Sequence, residues 1–288
     1  MLNLIEPSNY ARLQPLFARA SIHLALAAVL DGSVAASVYV DNASHPQSAL
    51  VIAGHRFFLL GRLDQPGFNQ SIQEFFDQMV FPHGLAAGEE LFVLYFDDSG
   101  WESSIETIFQ GKYPLLAPRE YYQLNLNGEP PRVDFPPDFS LRSVDKRLLA
   151  SSNLAHLDHL REELCSERAN EEDFLAQSFG ISLVHEDELA GWCLSEYNTG
   201  SCCEVGIETS EAFQKRGLGT AMTREFARQA YQRGITTIGW HCFTRNLPSA
   251  ATARKAGFAK ICDYHVFLVW YNPHNSPGWK RQMQASGG

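Results

Sequence analysis

The chain has 288 residues, 45% hydrophobic and 19% charged, with a formal net charge of −10; this suits one large or two medium globular domains. No apolar run approaches the roughly 18 residues of a membrane span, and the acidic balance disfavours a phosphate backbone as a general partner. The first residues, "MLNLIEPSNY", lack the basic-then-apolar plan of a signal peptide, so a cytoplasmic protein with no membrane or nucleic-acid partner is expected.

Residues 1–136 carry 7 basic and 15 acidic side chains, against 16 and 18 in the remainder, so the first half is the acidic one and suits a cationic partner. Cys165, Cys193, Cys202, Cys203, Cys242 and Cys262 all fall in the second half. They form no C-x-x-C pair and no zinc spacing with histidine, which predicts no metal, and several fall in apolar runs where a buried free thiol is the usual state.

From the N-terminus, "YARLQPLFARA" predicts a helix interrupted near Pro15, followed by "HLALAAVLDG" and "AASVYVDN". "SALVIAGHRFFLLG" reads as two strands bounded by turn residues. In "GFNQSIQEFFDQMVFP", Ile72, Phe75, Phe76 and Met79 recur at the spacing of one helix face. A buried strand "ELFVLYFDD", a helix "WESSIETIFQG" closed by Gly111, and a strand "REYYQLNL" follow. The prolines of "NLNGEPPRVDFPPDF" block helix and central strand alike, so a domain boundary is expected near residue 135, giving domains 1–135 and 136–288.

The second domain opens with the strand "FSLRSVD", and residues 146–178 read as helical. "GISLVHED", "ELAGWCLSEYN" and "CCEVGIETS" read as three antiparallel strands. A helix ending at Gly234, a strand "TTIGWHCF", a helix "LPSAATARKAG" and a closing strand "DYHVFLVWY" come next. The tail "NPHNSPGWKRQMQASGG" reads as loose and polar. The sum is a mixed α+β fold.

One segment, "EAFQKRGLGTAM", stacks cations and glycines where a helix begins. Strand, turn, Gly-x-Gly and amphipathic helix together expose unpaired amides at the positive end of the helix dipole, which favours an anion. Glycine lets a bulky ligand approach the backbone, and Leu218, Met222 and Phe226 share one helix face. A flexible surface turn is the plainer alternative. Neither the dinucleotide fingerprint nor the phosphate loop of nucleotide hydrolases is completed here.

The segment "QKRGLGTA" resembles the Q/R-x-x-G-x-G/A loop of the GNAT N-acetyltransferase superfamily. About 30 residues on, "NLPSAATARKAGF" resembles that superfamily's second motif, an Asn followed by a helix ending Lys-x-Gly-Phe. The order of elements over about residues 139–271 is similar to a GNAT domain. A closer resemblance, to the zwittermicin-resistance-like acetyltransferases, rests on "CEVGIET", "WHC", Asn246, Ser249, Ala253, Lys255, Gly257 and Phe258, and extends to the N-terminal region. It implies a GNAT fold, a mostly antiparallel mixed sheet flanked by helices. The first half, which lacks the glycine loop, is then a worn second GNAT-like unit that shapes the acceptor cleft.

The resemblance also implies acetyl-coenzyme A as co-substrate, no metal, and direct acetyl transfer to a primary amine of a small molecule, such as an amino-bearing antibiotic. Gln214, Lys215, Arg216, Gly217, Leu218, Gly219 and Thr220 would form the pyrophosphate loop. The cofactor's arm would run along Ile207, Glu208 and Thr209. Asn246 and Ser249 would face that arm or simply cap their helix.

Only a neutral amine attacks a thioester, so a proton route is needed. On a strand, Glu204, Gly206 and Glu208 share one face, opposite Cys203, Val205 and Ile207. Glu204 and Glu208 are therefore the candidate bases, unless that face is merely solvated. Where many GNAT enzymes place a proton-donating tyrosine, this chain has Ala253, leaving His241, Ser249, Cys242 or water as donor, or none. That departure keeps alive a non-enzymatic alternative, an acyl-coenzyme A-binding regulatory or scaffold protein. A peptide acetylator is a further option. "HLDH" sets His156 and His159 at metal-compatible spacing without a third ligand, and Trp192 and Tyr197 could line an acceptor groove or pack in the core.

Overall fold

The computed structural model describes residues 2–286. Its contacts divide the chain into two compact units: residues up to 118 together with those from 264 onward, and residues 119–263.

The first unit contains β1 (Asn3–Ile5), α1 (Gln14–Phe17), α2 (Leu24–Leu30), β2 (Ser37–Val40), β3 (Ser48–Ala53) and β4 (Arg56–Gly61). It continues through α3 (Pro66–Phe75), a π-helical turn at Phe76–Val80, α4 (Phe81–Ala87), β5 (Leu91–Phe96) and α5 (Trp101–Ile108). The wide turn shifts the helical phase. Phe81, five residues after the buried Phe76, is consequently buried, while Met79, expected on the apolar face, is 60% exposed.

Strand β6 (Leu115–Asn125) leads into the second unit, which contains β7 (Phe139–Ser143), α6 (Lys146–Leu149), α7 (Leu157–Ser166), α8 (Glu171–Gln177), β8 (Gly180–His185) and β9 (Glu188–Thr199). After these come β10 (Cys202–Thr209), α9 (Leu218–Gln232), β11 (Thr237–Phe243), α10 (Leu247–Ala256) and β12 (Ala259–Trp270). The helical expectation over 146–178 is thus met by three short helices. The tail, expected to be loose, forms α11 (Pro277–Ser286). It starts behind Ser276, a fully buried residue whose hydroxyl donates to the Tyr113 carbonyl.

Both units share one topology. In the first, β1, β2, β3 and β4 pair antiparallel in that order, β4 pairs parallel with β5, and β5 pairs antiparallel with residues 266–270 of β12. In the second, β7, β8, β9 and β10 pair antiparallel, β10 pairs parallel with β11, and β11 pairs antiparallel with β6. The closing strand of the second sheet, β6, follows α5 in the chain, and that of the first, β12, follows α10. The compact units accordingly divide at other points than the expected seam near 135, because strand pairing, not the proline run, groups the residues.

In the second unit, Met222, Phe226 and Ala230 of α9 bury their apolar stripe against Cys203 and Val205 of β10, Cys193 of β9, and Ile238, Trp240 and Cys242 of β11. The opposite side of the sheet packs Trp192 and Leu194 beneath α6, α7 and α8. Even-numbered residues of β10 therefore face away from α9.

Candidate active site

Between β10 and α9 the chain makes a tight, internally tied turn. The Ser210 amide donates to the Ala190 carbonyl at 3.0 Å and its hydroxyl to the Leu189 carbonyl at 2.8 Å. A 3-10 turn spans Glu211–Phe213, and Gln214 Nε2 donates to the Thr209 carbonyl at 3.0 Å. Lys215 and Gly217 then take left-handed φ angles of 61° and 81°. The first intrahelical bond runs from the Ala221 amide to the Gly217 carbonyl at 3.1 Å. The amides of Leu218, Gly219 and Thr220 thus belong to the first turn, where no helical acceptor exists. No side chain caps this end.

The Arg216 guanidinium lies over the rings of Phe139 at 5.1 Å and Phe213 at 5.8 Å, and 3.9 Å from the Asp138 carboxylate. Beside the loop, Gly217 and Thr220, Ala221 and Arg224 of α9 line a cavity of about 610 Å³ together with Pro131 and Ala256.

Strand β10 pairs with β9 along its whole length, to Thr209 opposite Gly191. With β11 it pairs only at Cys202, Cys203 and Glu204, the last opposite Gly239. A register irregularity between Cys203 and Val205 marks the same point. From Val205 onward the two parallel strands part, so Ile207, Glu208 and Thr209 face the gap with one backbone edge. In the first unit the corresponding pair keeps its register from Arg56 opposite Val93 to Leu59 opposite Phe96. There the fully buried Asp97 carboxylate accepts from the Gly61 amide at 3.0 Å and the Trp101 indole at 3.2 Å, and pairs with Arg19. A carboxylate in that place opposes an anionic ligand.

At the parting point, Glu204 is 2% exposed and its Oε1 lies 3.4 Å from His241 Nε2. Tyr121 of β6 stands opposite His241 in the register and stacks on it, with ring centroids 4.6 Å apart and 26° between planes. Burial, then the Glu204 charge, pushes the Tyr121 phenol up to about 12, so it is neutral at physiological pH. Glu208, further along β10, bonds His159 of α7 at 3.0 and 3.1 Å. Between the two carboxylates, the space above Gly206 is taken by Glu196, whose Oε1 would lie 2.6 Å from an added Cβ.

On the far side of the gap, Asn246 caps α10, its Oδ1 accepting from the Ser249 amide at 3.1 Å. The Ser249 hydroxyl accepts from the Trp240 indole at 3.0 Å. Ala253 is fully buried in the core. Burial raises the Cys193, Cys203 and Cys242 thiols, which leaves them protonated.

The sequence model of the GNAT acetyltransferases matches residues 14–267. The chain belongs to that family. It is a GNAT-type N-acetyltransferase. It is 20% identical over 268 residues to an uncharacterized N-acetyltransferase, YdfB, of Bacillus subtilis, a match covering 93% of this chain and 98% of that protein. Among solved structures, a GCN5-related N-acetyltransferase-like protein from Streptococcus suis superposes with a TM-score of 0.65 at 19% identity, over 91% of this chain and 98% of that one. A tandem GNAT protein from the clavulanic acid biosynthesis pathway superposes with a TM-score of 0.57 at 13% identity, over 95% and 99%. That tandem fold matches the repeated topology of the two units.

Within the GNAT frame, the expected residues separate into those that converge and those held elsewhere. Glu204 and His241 meet. Gly217, Leu218, Gly219 and Thr220 form the open helix start, while Gln214 and Arg216 direct their side chains to Thr209 and to the two phenylalanine rings. Asn246 and Ser249 both act in capping and packing. The "HLDH" histidines do not form a pair: His156 precedes α7 with a φ of 66° and bonds Glu188 at 3.0 Å, while His159 takes Glu208. Among the described residues no cluster of potential metal ligands occurs, and no helix is long and apolar enough to cross a membrane.

Trp192 is a core residue of the α6–α8 face, and the buried Tyr197 bonds Glu167. Tyr121 and Glu196 were not expected at the site. Both arrive by strand register, Tyr121 across more than a hundred residues, which no local pattern encodes.

Proposed function

We propose that the second unit transfers an acetyl group from acetyl-coenzyme A to a primary amine of a small molecule, with the Glu204–His241 pair taking the amine's proton. The observation that carries this reading is the coincidence of three features on one strand and the loop beyond it. The strand parts from its parallel neighbour at Glu204, a buried carboxylate–imidazole pair sits there, and open helix amides follow. The residues present suit the cofactor. A Cβ at Gly219 would approach Thr209 Oγ1 at 3.3 Å, so glycine there keeps the passage between β10 and the loop clear.

The amides of residues 215–220 would hold the pyrophosphate, the edge of Ile207–Thr209 that has parted from β11 the arm, and the cavity beside Gly217 and Arg224 the adenosine end. When bound, acetyl-coenzyme A supplies the activated acetyl group as a thioester. The chain's own part is proton handling: Glu204 accepts a proton from the incoming ammonium, and His241 Nε2, 3.4 Å away, shares that charge. Glu208, already bonded to His159, fastens α7 to the acceptor face. An acidic first half suits a cationic acceptor, and amino-bearing antibiotics are one such class. The tight strand pair and buried Asp97 of the first unit support cofactor binding by the second unit alone.

Thiol release from acetyl-coenzyme A across a panel of polyamines, amino sugars and amino acids tests the reading. Turnover with at least one amine, lost about 100-fold or more in Glu204→Gln, is expected, together with one coenzyme A bound per chain by calorimetry. Ala253, where many GNAT enzymes carry a tyrosine, keeps a second reading open, cofactor binding without turnover, and binding with no release for any amine would establish it.

A further inference from the structure

We infer that Tyr121 is a positioning residue of this site: its ring, laid on the His241 imidazole, holds that imidazole beside Glu204 and favours its protonated form. The inference rests on the proton-accepting role proposed above for Glu204 and His241. Three strands contribute. Strand β6 brings Tyr121 opposite His241 of β11, and β10 brings Glu204 opposite Gly239 of β11. Gly239 makes the arrangement possible. A Cβ there would lie 3.2 Å from both Glu204 Cγ and Tyr121 Cε2, and 3.3 Å from the Tyr121 hydroxyl. The phenol therefore lies across the strand where a side chain would otherwise stand, with the glutamate against the same point.

The imidazole is thus enclosed between a carboxylate and an aromatic face, and its side chain is 7% exposed. A cation stacked on an electron-rich ring is stabilised, more so when water is excluded. Among the titratable groups facing His241 are Glu204 from β10 and Tyr121 from β6. Cys202 and Cys262 lie close enough to Tyr121 to oppose its ionisation. Arg119 and Arg245 lie over the Phe243 ring, at 4.7 and 5.4 Å, two residues along the same strand. From β6 the imidazole thus meets the face of a neutral phenol, which stabilises the imidazolium that results when the pair takes up a proton.

The test is a pH titration of the His241 imidazole in the full-length protein by 13C NMR of labelled histidine, with the signal assigned by its loss in His241→Asn. Tyr121→Leu should lower the midpoint by about half a pH unit or more, whereas Tyr121→Phe, which keeps the ring, should move it by less than about 0.2. An unchanged or raised midpoint in the leucine variant would overturn the inference, as would a phenylalanine variant that shifts as far as leucine. If the leucine variant fails to fold, Tyr121→Met repeats the comparison. The wild type supplies a further check, through nuclear Overhauser contacts between the Tyr121 ring and the imidazole Hε1; their absence would likewise refute the stack. This titration is read without turnover. Unaltered thiol release in Glu204→Gln would sink the proposed chemistry while leaving the titration result standing.

Discussion

Substituting alanine at Gly219 and at Gly217 separates the demands of folding from those of binding. A methyl at Gly219 meets Thr209 Oγ1 at 3.3 Å, Thr252 Cγ2 at 3.6 Å and Ile207 Cδ1 at 3.7 Å, so one contact is tight and two are ordinary. Because the residue is the second of α9, alanine also regains up to about 1 kcal/mol of helix propensity. These effects offset one another, and the melting temperature should stay within about 3 °C of wild type.

The same methyl stands between the end of β10 and α10, where the cofactor's arm would pass toward the loop amides. Losing one charge-assisted amide bond costs about 1.5–3 kcal/mol, which predicts coenzyme A affinity about 10- to 100-fold weaker. Gly217→Ala is the control. Its Cβ meets nothing within 4 Å, but the φ of 81° imposes about 1–2 kcal/mol of strain. Its melting temperature should therefore fall by several degrees, with a smaller loss of affinity. Calorimetry with coenzyme A and thermal melts on the same preparations read both quantities. Wild-type affinity in a normally folded Gly219→Ala protein would refute the placement of the pyrophosphate at this loop.

Three further outcomes follow from particular contacts. Asn246→Ala removes the α10 cap and should destabilise by about 1 kcal/mol in urea melts, with coenzyme A affinity unchanged because Oδ1 is already occupied by the Ser249 amide. Ser249→Ala leaves the buried Trp240 indole without its acceptor and should cost about 1–3 kcal/mol in the same assay; a change within about 0.3 kcal/mol would refute that bond. The Lys260 ammonium, then the Tyr122 hydroxyl, holds the Glu120 carboxylate below its usual range. A depressed folded value means that this stability is present above the unfolded carboxylate range and is lost as pH falls through the folded one. Glu120→Gln should therefore flatten the decline in stability below about pH 4, measured by urea melts at stepped pH.

Local signals in the sequence carried far because much of this fold is built from strong ones. Alternating and helical apolar spacing located most of the strands and longer helices, and the glycine pair marked where β10 gives way to α9. Where local patterns misled, a specific geometry intervened. Met79 left its expected face because a π-turn rotated the helix beneath it. His156 left the helix altogether by adopting a left-handed backbone, which sent the two histidines to different carboxylates. The tail gained a helix because Ser276 is anchored against Tyr113, a partner far away in the chain.

The site divides along the same line. The glycine loop is a matter of spacing within a dozen residues, so the sequence by itself determined that Gly217 and Gly219 open a helix and that Glu204 and Glu208 share a strand face. Tertiary structure alone decided that β10 parts from β11 at Glu204, that His241 meets Glu204 while Glu208 is taken by His159, and that Tyr121 stacks on the imidazole. It also decided that β6 closes the sheet of β7–β11 while residues 266–270 of β12 close that of β1–β5. The reason is physical: side-chain alternation is set by bond geometry within one strand, whereas register between strands is set by the packing of cores whose members lie tens of residues apart or, for Tyr121 and His241, more than a hundred.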